Sequence, residues 1–155
     1  MLEIVIAQIP GKCQVFFNIS GNVGLRSPND AIDVQLVQLG YACAAINPAN
    51  SAPPDVKALW KKVNPGSPYS GTPQDVLSQA IAAHERVKGI SQDGHVSRMA
   101  GGHLRHPGPR GAEPYLLSQL CNNIFDIMSS TYPRLDLHQK CPLVLGAHIK
   151  SLFRN

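Results

Sequence analysis

The chain is poor in charge, in aromatic rings and in long apolar runs. Charged residues fill 15% of its 155 positions and aromatic ones 6%, with a single Trp. The longest apolar stretches, such as residues 4–9, fall far short of the roughly 18–20 residues that a membrane-crossing helix needs, so no membrane span is expected. Glu3 stands where a secretory signal would carry positive charge, and no long apolar region follows it, which predicts no export by the general route. Cysteine is sparse. Cys13, Cys43, Cys121 and Cys141 lie far apart with no C-x-x-C pair, which argues against a zinc ribbon or a redox motif. Three disulfide pairings are open to four cysteines; the lack of an export signal favours reduced, mostly buried thiols.

What is present is apolar material and turn formers. Hydrophobic residues make up 43% of the chain, too many for intrinsic disorder at so low a charge. The length suits one domain, organised as a β element over residues 1–26, helices and a loop over 27–104, and a helical extension over 112–155. Fourteen Lys and Arg against ten Asp and Glu give +4 and a pI near 9.0, a balance drawn weakly to anionic surfaces such as nucleic acid, membrane or bacterial cell wall. Thirteen Gly and thirteen Pro place much of the chain in turns.

The pattern predicts a small, mainly α domain with about five helices and an N-terminal β-hairpin or strand pair. Residues 4–9 and 14–19 are rich in Val, Ile and Phe and flank Pro10-Gly11, a hairpin signature. Ser27-Pro28-Asn29-Asp30 reads as a helix start with Ser27 as N-cap, and the helix runs to about Ala45. Pro54-Asp55 opens a second helix with Val56, Leu59, Trp60 and Val63 on one face, where Trp60 is read as core and not as a sugar platform. Thr72-Pro73-Gln74-Asp75 opens a third, which stops at Gly89. A fourth carries Leu117, Leu120, Cys121, Ile124 and Met128 inward until Tyr132-Pro133, and a fifth spans about 142–153. Residues 90–111, ISQDGHVSRMAGGHLRHPGPRG, form the segment with the least to bury, and a long loop of this kind is where function is sought.

Candidate chemistry gathers at the start of that loop. Glu85, Asp93 and His103 are the candidate catalytic residues: glycoside hydrolysis needs one carboxyl held as an acid and a second across the sugar. The competing reading of the same residues is a Glu on a solvated helix face and a plain turn at Asp93-Gly94. His95, Ser97, Arg98, Arg105 and His106 are candidate ligand-binding residues, and with His103 and Arg110 the basic ones suit an anionic partner. No aromatics interleave with them, so nucleic acid is disfavoured. His103-x-x-His106 lacks an obvious third ligand and a helix to hold it, so neither metal nor other cofactor is expected.

Residues 19–38, ISGNVGLRSPNDAIDVQLVQ, followed by Gln92-Asp93-Gly94-His95-Val96-Ser97 and Gly101-Gly102, resemble the peptidoglycan-binding-like domains of bacteria over about residues 15–104. In that family a V-G strand leads into a D-V-x-x-V-Q helix, and a Gly-Asp-Gly turn follows later; His95 stands here for the family's Arg. The run from Glu85 through Asp93 to Gly102-His103 is similar to the phage-type lysozyme signature, with Ser97 where that family has Thr. Gly94-His95-Val96 with Cys43 resembles the His and Cys of NlpC-type amidases, although Cys43 falls near the end of a helix and is read as a packing thiol. All three resemblances imply a protein that binds or cuts peptidoglycan or its fragments. Without a signal peptide such a protein is expected to be made in the cytoplasm and delivered to the periplasm or wall by a specialised system. The competing class is a non-catalytic adaptor or toxin inhibitor whose basic loop docks a protein partner, such as an inhibitor or a secretion component.

Overall fold

The computed structural model describes residues 1–9, 12–90, 92–107 and 113–154. Two strands open the chain, β1 (Glu3–Ile9) and β2 (Lys12–Asn18), paired antiparallel with Ile4 opposite Phe17 and Ile9 opposite Lys12. The expected Pro10-Gly11 turn and the Cys13 side chain lie outside the described residues. β2 is the inner strand: Phe16 and Phe17 are buried, whereas β1 is an edge that leaves Ile6 exposed. Two shorter strands, β3 (Val23–Gly24) and β4 (His95–Val96), form a second antiparallel pair.

Among the described residues five helices supply the frame: α1 (Ala31–Ile46), α2 (Pro54–Trp60), α3 (Val76–Lys88), α4 (Leu116–Ile127) and α5 (Leu143–Leu152). The protein is thus a small, mainly α domain with an N-terminal hairpin, as its pattern predicts. Two helix starts differ from expectation. α1 is capped by Asp30, whose carboxylate accepts the Ile32 N–H at 3.0 Å, and not by Ser27, whose hydroxyl donates to the Leu25 carbonyl. The cause is Asn29, which adopts a left-handed φ of 53° and clamps Gly24 through both its amide oxygen and its nitrogen, so the helix begins only after it. Likewise Asp75, not Thr72, caps α3 by accepting the Leu77 N–H at 2.9 Å. α3 ends at Gly89, in the left-handed region at φ 65°. α4 stops at Ile127, before Tyr132-Pro133 is reached.

The core forms where α1 meets α2 and α4, with β2 packed against α4. Trp60 is buried and its indole N–H donates to the Ala80 carbonyl at 3.1 Å, which places it in the core as expected. Gly40 lets α1 and α4 approach closely, since a Cβ there would stand 2.7 Å from the Leu120 Cβ. Asp33, fully buried on α1, accepts the Ser20 N–H, the Ser20 hydroxyl and the Gly21 N–H, tying the end of the hairpin to the helix. Leu120, Cys121 and Ile124 bring α4 into this same core, and Leu145 and Ile149 bring α5. Among the described residues no helix is long and apolar enough to cross a membrane. Cys43, Cys121 and Cys141 are free thiols.

Candidate functional site

The loop expected over residues 90–111 acquires structure through β4 and a short 3-10 turn, Ala100–Gly102. β4 is held by β3: the Leu25 N–H donates to the Gly94 carbonyl at 2.9 Å, and Gly24, at φ 135°, leaves no room for a side chain against Gly94 and His95. Segments 19–25 and 92–98 therefore lie side by side. Arg98 strengthens the seam, donating its backbone N–H to Asn22 Oδ1 and its Nε–H to the Ile19 carbonyl.

This seam positions Glu85. The side chain sits in the last turn of α3, 1% exposed, and its carboxylate accepts the Gly94 N–H at 3.0 Å. The reading of a Glu on a solvated face is corrected by this burial: the chain that leaves Gly89 folds back over the helix end and covers it. Burial pushes the Glu85 carboxyl up to about 7, and the negative charge of Asp93 adds to the shift, while N–H donors of Gly94 and Asp93 oppose it. A carboxyl at that value holds its proton in about half of the molecules at neutral pH, which suits a general acid.

Asp93 is half exposed. Its Oδ1 accepts the His95 N–H and lies 3.6 Å from His95 Nδ1, so the two side chains form one polar edge beside Glu85. Two recesses open from this edge. The smaller, about 30 Å³, is bounded by Glu85, Asp93, His95, Ser97, His106 and Tyr115. The larger is a groove of about 600 Å³ along Leu25, Arg26, Ala82, Glu85, Asp93 and His95. Arg26, at φ 53° and exposed, brings a guanidinium to this groove and was not legible in the sequence, because only the β3 turn carries it there.

The structure thus brings together Glu85, Asp93, His95, Ser97 and His106. His106 stacks on Tyr115 with ring centroids 4.0 Å apart. His103 is exposed and lines neither recess, lying instead against Gly101. Arg98 turns away to the hairpin, with its guanidinium 2.7 Å from Glu3 Oε2. Arg105 sits in a β-bridge with Pro114 and is exposed, and Arg110 lies outside the described residues. Cys43 is buried in the last turn of α1, where burial pushes its thiol up to about 12, and it lines neither recess beside His95. Among the described residues no group of three His, Cys, Asp or Glu side chains could hold a metal ion.

One buried imidazole escaped the sequence reading. His84 bonds Tyr41 Oη through Nδ1 at 3.0 Å and Gln119 Oε1 through Nε2 at 2.9 Å. Its helical spacing beside apolar neighbours resembles any core position, and only the partners from α1 and α4 distinguish it.

Compared with models of known protein families, with curated proteins and with solved structures, the chain matches none.

Proposed function

We propose that the protein is directed to the bacterial cell wall and binds peptidoglycan fragments in the groove beside Glu85, Asp93 and His95. The observation that carries this reading is the β3–β4 pairing, which sets the two segments resembling peptidoglycan-binding-like domains against each other at the rim of that groove. Arg26 offers a cation to the carboxylates of a stem peptide, and Asp93 with His95 offers acceptors and donors to sugar hydroxyls.

A second, finer reading is hydrolysis of the glycan, favoured by the Glu85 carboxyl near neutrality with a second carboxylate beside it. Glu85 would protonate the leaving oxygen and Asp93 would serve as the second carboxylate. His103 keeps only the role of holding the loop. Delivery to the wall is then the task of a specialised export system.

A pull-down on purified sacculi with product analysis tests both readings. Bound protein supports the wall reading, and released sugar ends that disappear with Glu85→Gln support the glycosidase. Protein that neither binds nor cuts would sink both and leave the docking of a protein partner as the function.

A further inference from the structure

A second cavity lies on the other side of α3, away from the Glu85 groove. On α4, Gln119, Asn122, Asn123 and Asp126 stand at i, i+3, i+4 and i+7, a polar stripe opposite the face that buries Leu117, Leu120, Cys121 and Ile124. Asn is a weak helix former, so two in succession in mid-helix weaken the element that holds them. Facing the stripe is the turn that follows α1. Asn47 accepts the Ala49 N–H at 3.0 Å and Asn50 accepts the Ala52 N–H at 2.9 Å, closing two local turns. The turn is stapled to α4: Asn47 Nδ2 donates to Asn123 Oδ1 at 3.0 Å and to Asp126 Oδ2 at 2.9 Å, and Asn50 Nδ2 donates to Asn123 Oδ1 at 3.1 Å.

Between these walls is a space of about 280 Å³. Three polar atoms of the α4 side chains that line it carry no hydrogen bond among the described residues. Gln14 donates to Asn122 Oδ1, which fixes that side chain and leaves its Nδ2 uncommitted. His84 engages Gln119 Oε1 and leaves Gln119 Nε2, while Asp126 uses Oδ2 and leaves Oδ1. Two donors and one acceptor thus remain on a preformed wall, with Ala44, Ala49, Ala52 and Val87 supplying apolar contact between them.

We propose that this cavity is a binding site for a neutral, hydroxyl-rich ligand the size of one sugar ring. A sugar hydroxyl both donates and accepts, so one ring satisfies the amides and the carboxylate together, and its C–H faces meet the alanines. The volume sits at the low end of small-molecule sites, roughly 300–1,000 Å³. Asp126 and Lys88 line the space with one charge of each sign, a balance that suits a neutral ligand better than a phosphate. The walls are already fixed by their own hydrogen bonds, so little ordering is needed on binding. The inference is independent of the wall reading, since it uses no residue of the Glu85 groove.

The test is a two-dimensional amide NMR titration of the full chain with methyl glucoside and with N-acetylglucosamine. Saturable shifts are expected at the side-chain amides of Asn122 and Gln119 and at the Ala49 N–H. Asn122→Ala and Asp126→Ala should each weaken binding by about 3- to 10-fold, the worth of one hydrogen bond. Lys88→Ala, which removes an exposed lining side chain with no hydrogen bond of its own, provides a variant that leaves the fold untouched; it should change affinity less than either. Absence of saturable shifts at high millimolar sugar, shifts confined to residues 92–98, or saturation by dialanine or inorganic phosphate in place of sugar would each overturn the proposal.

Discussion

His84 and Glu85 are consecutive on α3 and both buried, yet they are tied to different neighbours: His84 to Tyr41 and Gln119, Glu85 to the Gly94 N–H at 3.0 Å. Burial shifts them in opposite senses. It pulls the imidazole down to about 4 from 6.5 and pushes the carboxyl up to about 7 from 4.5. Both side chains are therefore mostly uncharged in the folded protein between those limits.

Stability against pH follows from the signs. His84 contributes stability that is present above 6.5 and lost as pH falls toward 4; Glu85 contributes stability that is present below 4.5 and lost as pH rises through 7. Between 4.5 and 6.5 the two slopes oppose each other, and the parent should show a nearly flat profile there from this pair. Urea denaturation of Glu85→Gln should show stability rising with pH from about 4 to 6.5, and His84→Gln should show it falling from about 4.5 to 7. Each slope is on the order of 3 kcal/mol in total at most. Identical profiles for parent and both variants would contradict the assignment.

Gly40→Ala should lower the melting temperature. The added methyl would meet the Leu120 Cβ at 2.7 Å, and relief requires α1 and α4 to separate, at about 1–3 kcal/mol. Leu120→Gly in the same chain removes the Cβ that the new methyl would meet, so the double variant should lose less than the sum of the singles, as a thermodynamic cycle would measure.

Asp33→Ala removes the acceptor shared by the Ser20 N–H, the Ser20 hydroxyl and the Gly21 N–H. Losing three hydrogen bonds to a buried carboxylate should cost on the order of 3 kcal/mol. Asp33→Asn keeps one oxygen and should recover part of this loss in the same denaturation experiment.

Thiol labelling at pH 8 distinguishes a packing cysteine from a nucleophile. Burial pushes Cys43 and Cys121 up to about 12 and Cys141 up to about 11. In the native protein iodoacetamide should spare Cys43 and Cys121 and modify half-buried Cys141 slowly, with all three reacting at once in denaturant. Peptide mapping by mass spectrometry reads each site. Rapid native labelling of Cys43, or loss of a wall-cutting activity in Cys43→Ala, would restore the amidase reading.

The helical frame was legible because its signals are local. Apolar spacing located all five helices, and Gly89 marked the end of α3 through its own backbone freedom. The caps were displaced by three residues in α1 and in α3 because Ser, Thr and Asp compete for the same role, and long-range bonds, such as that of Asn29 to Gly24, decide between them. The site was legible in part. Glu85, Asp93 and His95 were visible as chemistry close in sequence, whereas the burial of Glu85 and the arrival of Arg26 depend on β3 meeting β4, two residues against two, which leaves almost no periodic trace. The amide stripe of α4 carried a readable signal, polar residues at helical spacing opposite an apolar face, but such a stripe in a surface helix usually means only solvent.

The β3–β4 seam also sets a clock for the groove. It joins two points separated by roughly 70 residues, and closing a loop of that length costs about 4 kcal/mol, more than a two-residue ladder returns. The seam can close only once α1, α2 and α3 are packed, and it is the first part of the groove to part when the protein breathes. Amide exchange at Leu25, whose N–H donates to the Gly94 carbonyl, should therefore outpace that of the buried helix amides behind it.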